Sequence, residues 1–260
     1  MRGCLAPADC GAMCSIILSW IPGARWPLLV AANRDEMLDR PWDAPGRYWP
    51  DQAVMAGHDR LAGGTWLGLN DHGVMAALLN RAGSLGPLAG RRSRGDLPLL
   101  ALGARSAEAA CTRISALNAA DYRSFNMVIA DAAGGFVLRG LEAGAPDVTA
   151  LAAGVTMLTA YEPNEPRCPR IARYRPQFER AARPLPGLLA RADDWAAWAG
   201  LLADAAPPQE SAINIAPRGG FGTVCSSLIA LAPGERQFLF GAGTPLIYYD
   251  VYGKVSLKSS

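Results

Sequence analysis

Apolar residues along this chain fall in short runs broken by turn-forming residues, a pattern of strands joined as hairpins. Cys14–Trp20 and Pro27–Asn33 flank "IPGARW", predicting a hairpin with a longer loop. Thr65–Leu69 and Val74–Leu79 flank "NDHG", a tighter one. Phe125–Ala130 and Phe136–Leu138 flank "DAAGG", and Val224–Ala232 and Gln237–Gly241 flank "PGER". Leu151–Thr159 reads as a further strand.

Helical spacing appears between these groups. "SAEAACTRISALNAAD" offers Ser106 as N-cap and an apolar face through Ala110, Ile114 and Leu117. "PRIARYRPQFERAAR" predicts a helix interrupted at Pro176. "DDWAAWAGLLADA" begins with Asp193 and Asp194, which suit a helix N-terminus, and repeats apolar residues through Trp195, Trp198 and Leu202. Trp195 and Trp198 therefore read as core. Hairpin-joined strands favour antiparallel sheets, and helices arriving in blocks favour layers on sheet faces. The fold class is α+β, and a four-layer αββα sandwich and a two-layer arrangement both satisfy the pattern.

Half of the 260 residues are hydrophobic, which is enough for a substantial core and excludes whole-chain disorder. The 28 glycines and 20 prolines then mark turns in a sheet-rich globule. A net charge of +2 gives no electrostatic footprint for nucleic acid. The run Arg91, Arg92, Arg94 reads as a solvated turn. Six cysteines without a CxxC pair, and only His58 and His72, make neither a disulfide scaffold nor a zinc pattern, so no metal is expected. No apolar stretch is long enough to span a membrane, and the first residues lack a signal-peptide core. The expectation is a soluble, cytoplasmic protein; oligomeric state is not legible.

Candidate chemistry concentrates between Cys14 and Asn80. Asn33, Arg34, Asp35 and Glu36 follow an apolar strand directly, placing an amide, a cation and two carboxylates at its end. Such a cluster suits a polar ligand, although a strand-exit turn with Arg34 paired to a carboxylate is the plainer explanation of these residues alone. Gly63 and Gly64, ahead of Thr65 and Trp66, imply positive φ or close backbone approach. Asn80 ends an apolar run, where its amide serves either as an oxyanion donor or as a turn hydrogen bond.

The strings "AANRDEMLDRP", "AGHDRLAGGTWLGLNDHGVMAALLN", "SRG" at Ser93–Gly95 and "FNMVIAD" resemble the NRDE family, also called the transport and Golgi organisation protein 2 family. The resemblance implies an αββα sandwich like that of the N-terminal-nucleophile (Ntn) hydrolases, in one domain over residues 13–255 with a tail at 256–260. Family members begin with Met-Cys, matched here by Met13-Cys14, so residues 1–12 read as a misassigned start or a short leader. With Met13 removed, Cys14 would carry an α-amine of pKa roughly 7.7–8.0 able to act as base for its own thiol.

Similarity to the Ntn cysteine acylases implies further roles. Arg34 would lower the thiol pKa, Asp35 would hold the amine, and Asn80 would donate to the oxyanion. Asn33, Glu36, Thr65 and Trp66 would line the ligand site. Two positions depart from the pattern: Ala160 stands where acylases carry a second Asn, with Asn164 nearby, and Val224 stands where an Arg is expected after Gly-Thr. The implied activity is hydrolysis of a non-peptide C–N amide through a thioester at Cys14, with no cofactor required. The family's link to haem trafficking offers a non-catalytic alternative, in which Cys168 of "EPRCPRIAR" ligates haem iron and Arg167 and Arg170 pair with propionates. The plainer explanation of that motif is a helix-entry proline beside an inert thiol. A Golgi or secretion role rests on the family name alone. Cys111 and Cys225 read as ordinary core thiols.

Overall fold

The computed structural model describes residues 13–243 and 247–256. Thirteen strands among them form two antiparallel sheets. β1 (Ser15–Trp20) and β2 (Leu28–Met37) are the first hairpin. β3 (Trp42–Gly46), β4 (Val54–Asp59), β5 (Leu67–Asn70), β6 (Met75–Asn80), β7 (Phe125–Asp131), β8 (Gly134–Gly140) and β9 (Asp147–Ala150) form one seven-stranded sheet in chain order. β10 (Gly154–Leu158), β11 (Phe221–Ala232), β12 (Glu235–Ala242) and β13 (Ile247–Asp250) join the first hairpin in a six-stranded sheet ordered β10-β1-β2-β11-β12-β13.

The strand alternation explains the layering. Along β1, Ile16, Leu18 and Trp20 point between the sheets, while Ile17 points to the opposite face. β2 repeats this with Leu28 and Val30 inward, and Leu29 and Ala31 outward. On the outer face of the six-stranded sheet lie α3 (Pro169–Arg180) and α4 (Ala196–Leu202), through Ile171, Tyr174, Phe178, Trp198 and Leu202. On the other sheet lie α1 (Asp96–Leu102) and α2 (Ala107–Ser115), through Leu97, Ala101, Ala110 and Ile114. The result is the αββα sandwich, and the two-layer alternative falls. A short helix, α5 (Val251–Ser256), ends the described chain.

All four hairpins form, and Ser106 caps α2 by accepting from the Ala109 N–H at 3.1 Å. Three expectations are corrected. α3 runs through Pro176 instead of stopping there, because the carbonyl deprived of its donor belongs to exposed Ala172 and can face water. Asn33 to Glu36 do not follow a strand but lie within β2, which β11 extends by pairing Cys225 with Arg34, Thr223 with Asp35 and Gly222 with Glu36. The basic run is only partly a solvated turn: Arg92 is exposed, over the Tyr122 ring, but Arg94 donates to the Ser84 hydroxyl and the Ser124 carbonyl.

The paired glycines behave as their positions require. Gly63 has φ +75°, and a Cβ on Gly64 would lie 2.5 Å from the Gly95 carbonyl carbon. That contact seats "SRG" against "GGTW", with the Thr65 N–H donating to the Gly95 carbonyl at 3.1 Å. Residues 1–12, with Cys4 and Cys10, lie outside the described residues, as do 257–260 of the expected tail.

Candidate active site

A small cavity opens between the two sheets, lined by Cys14, Ile16, Arg34, Trp66, Leu79 and Cys225 among others. Its walls are mainly apolar because inward-facing positions of β1, β5 and β6 form them. Cys14 is half-buried, immediately ahead of the β1–β2 register, whose first pair is Ser15 with Asn33. Its Sγ receives the Asp35 backbone N–H at 3.4 Å and lies 3.5 Å from the Asp35 carbonyl oxygen. Burial pushes the thiol up to about 11, reinforced by the Asp35 charge; the Asp35 N–H and Arg34 pull the other way.

Arg34 sits on the same inner face. Its guanidinium carbon is 4.2 Å from the centre of the Trp66 ring, and Nη2 lies 3.4 Å from Glu36 Oε2 and 3.9 Å from Asp59 Oδ2. Nη1 is buried without a protein partner. Trp66 can lie flat here because residue 57 is glycine: a Cβ there would be 2.3 Å from its ring. Glu36 also receives the Met37 N–H and pairs with Arg40 at 3.5 Å.

Asp35 points to the opposite face, into a fully buried cluster. Oδ2 receives Arg170 Nη1 at 3.0 Å, and Oδ1 receives the Thr223 hydroxyl at 2.6 Å. Burial lifts the carboxyl to about 6, against the opposing pull of Arg170 and Thr223. Arg170 Nη1 also donates to the Met13 carbonyl, and to Ser15 Oγ at 3.1 Å.

The cavity therefore brings together Cys14, Arg34 and Trp66, with Asp35 fixing the thiol through its backbone. It does not gather every candidate. Asn80 is half-buried at the end of β6, outside the cavity lining. Asn33 lines the cavity, but its Nδ2 donates to the Leu202 and Ile213 carbonyls, both at 2.9 Å, and its Oδ1 receives the Ser226 hydroxyl. It fastens β2 to the outer layer and has no donor left for a ligand. Thr65 bonds locally to Leu67 and is not in the lining. Asn164 accepts from the Met157 N–H at 2.8 Å, closing a turn rather than replacing the amide absent at Ala160.

The residues considered for haem lie away from the cavity. Cys168 is wholly buried, its sulfur 3.6 Å from the Thr159 hydroxyl, at the N-cap position of α3 inside the outer-layer core. Arg170 is equally buried, and Arg167 pairs with Glu165 at 2.9 Å. His58 lies 3.0 Å from Asp43 and stacks on Tyr48, while His72 is exposed in its turn. Among the described residues no group of three or more His, Cys, Asp or Glu could hold a metal ion. No described helix is long and apolar enough to cross a membrane.

One residue read as an ordinary core thiol belongs to the site: Cys225 lines the cavity and pairs across strands with Arg34. Val224, where the family resemblance expects an Arg, occupies a β-bulge between Thr223 and Cys225 that interrupts the β2–β11 register.

This architecture is shared with solved Ntn-hydrolase-fold structures. Penicillin V acylase from Agrobacterium tumefaciens matches with a TM-score of 0.51 at 14% identity, over 90% of this chain and 86% of that one. A mutant form of the conjugated bile acid hydrolase from Clostridium perfringens matches at 0.52 and 13% identity, over 92% and 93%. The Caenorhabditis elegans orthologue of N-acylethanolamine-hydrolyzing acid amidase matches at 0.53 and 12%, over 85% and 93%. Identities this low speak for the fold. In sequence, the chain is 33% identical over 128 residues to the Transport and Golgi organization protein 2 homolog of Bos taurus, a match covering 46% of this chain and 45% of that protein. The model of the Transport and Golgi organisation 2 family matches residues 13–239, and the chain belongs to that family.

Proposed function

We propose that this protein is a cysteine amidohydrolase that cleaves linear, non-peptide amides bearing a small apolar acyl group, with Cys14 as nucleophile. The observation that carries the reading is the position of the thiol: Cys14 lines a mainly apolar cavity between the sheets, beside a guanidinium with a free N–H. The acyl chain would lie among Ile16, Leu67, Ala77 and Leu79, with its carbonyl oxygen toward Arg34 Nη1.

The thiol's elevated pKa means that it needs a base. Removal of the residues ahead of Cys14 would supply one, as a neutral α-amine on the same residue. That amine takes the thiol proton as sulfur attacks the carbonyl carbon. The tetrahedral intermediate then expels the substrate amine, which takes the proton back, and water hydrolyses the thioester to release the acid and regenerate the thiol. Arg34 is the buried donor available for the developing oxyanion in a cavity whose lining omits Asn80.

The test is a panel of acyl amides of increasing chain length with a chromogenic amine, assayed on protein beginning at Cys14. Turnover that disappears in Cys14→Ser supports the reading. Turnover that survives that substitution overturns it.

A further inference from the structure

The Cys-Pro-Arg motif at 168–170 finds a use unrelated to haem. We propose that Arg170 is a positioning residue for Cys14, holding the thiol-bearing segment in place from the first turn of α3. The inference rests on the amidohydrolase reading for its catalytic meaning, but not for its geometry.

A single guanidinium nitrogen, Nη1, meets three acceptors that surround the thiol without touching it. They are the carbonyl of Met13 immediately before Cys14, the hydroxyl of Ser15 immediately after it, and the carboxylate of Asp35. Asp35 is also the residue whose peptide groups flank the Cys14 sulfur. In the full chain one side chain thus ties down the backbone on both sides of Cys14 and the strand position that holds it; in a chain beginning at Cys14 the Met13 contact is gone, and the Ser15 and Asp35 contacts do the holding.

Stability alone does not account for this arrangement. A cation in the first turn of a helix opposes the helix dipole. Arg170 and Asp35 both have side chains with 0% exposure, and a fully buried ion pair is commonly no more stabilising than a well-packed apolar pair. Arg170 Nε and Nη2 are buried without protein partners as well. What the pair does provide is placement. Helix entry sets the reach: Cys168 is the N-cap and Pro169 the first helical residue, so Arg170 turns inward toward β1 and β2.

The test is iodoacetamide alkylation of the full chain at about pH 8, following each cysteine by peptide mass, in wild type, Arg170→Lys, Arg170→Met and the double variant Asp35→Asn/Arg170→Met. Arg170→Met should speed Cys14 alkylation by about tenfold while Cys168 and Cys225 stay within about twofold of wild type, because only the thiol segment is released. Arg170→Lys, which keeps the charge, should restore most of the protection. If Arg170→Met does not fold, the double variant is read against Asp35→Asn alone, because loss of the Asp35 charge by itself lowers the thiol pKa and speeds alkylation. An unchanged Cys14 rate, a parallel rise at all three cysteines, or a failure of lysine to rescue overturns the proposal. The measurement needs no turnover. A wild type that hydrolyses no amide would defeat the amidohydrolase reading and leave this one standing, and the converse also holds.

Discussion

Asp35 and Arg170 form an ion pair at 3.0 Å with neither side chain reaching solvent. Even so, burial leaves the Asp35 carboxyl at about 6, above its ordinary 3.8. Between those values the folded chain holds the proton more tightly than the unfolded chain does. This group's contribution to stability therefore falls as pH rises from about 4 to about 6, by up to ~3 kcal/mol. Asp35→Asn cannot titrate, so the variant should lose that decline. Urea unfolding of both proteins across this range checks it, and parallel stability profiles would contradict the assignment.

Arg34 acts on the thiol from the other face of the same strand. Its charge lowers the Cys14 pKa and Glu36 raises it. Arg34→Gln should move the thiol further up and slow its alkylation at fixed pH by roughly 3–10-fold, while Glu36→Gln should speed it modestly. Rates measured against pH separate this electrostatic effect from a change in access.

Gly57 supports that arrangement at one remove. Because a Cβ at this position would meet the Trp66 ring at 2.3 Å, Gly57→Ala must displace the surface on which Arg34 rests. A loss of about 1–3 kcal/mol is expected, as for other overpacked core sites. Tryptophan fluorescence together with thermal unfolding would show whether Trp66 moves.

Chain-length selection should depend on Ala77, a small residue in the cavity wall. Ala77→Leu fills part of the space, so the longest acyl group accepted should shorten. The preference for each added methylene, about fourfold when it is fully buried, should vanish at a shorter chain than in wild type. Acetyl amides should be nearly unaffected.

Much of the fold could be read from the sequence because its hairpins are local and their strands are short apolar runs bounded by turn residues. Ile16, Ile17 and Leu18 of β1 announce two covered faces. Of the four strands that escaped notice, which include β4 and β13, two lack that signal: β3 reads "WDAPG", with Pro45 and Gly46 inside it, and every residue of β9 is exposed. At the site, the NRDE cluster stood out by composition, but its continuation of β2 depends on β11, which lies far away in the chain. Arg170 was misread for the same reason. Its partners Ser15 and Asp35 are 155 and 135 residues distant, and no local pattern encodes such a contact.

Trapping the acyl-enzyme tests the central claim most directly. Protein beginning at Cys14 would be mixed with a short-chain acyl amide, quenched in acid during turnover, and its adduct mapped by peptide mass. The account predicts an added acyl group on Cys14, absent in Cys14→Ser, with no adduct on Cys225. Product release that persists in Cys14→Ser, or turnover with no acyl group ever found on Cys14, would contradict it.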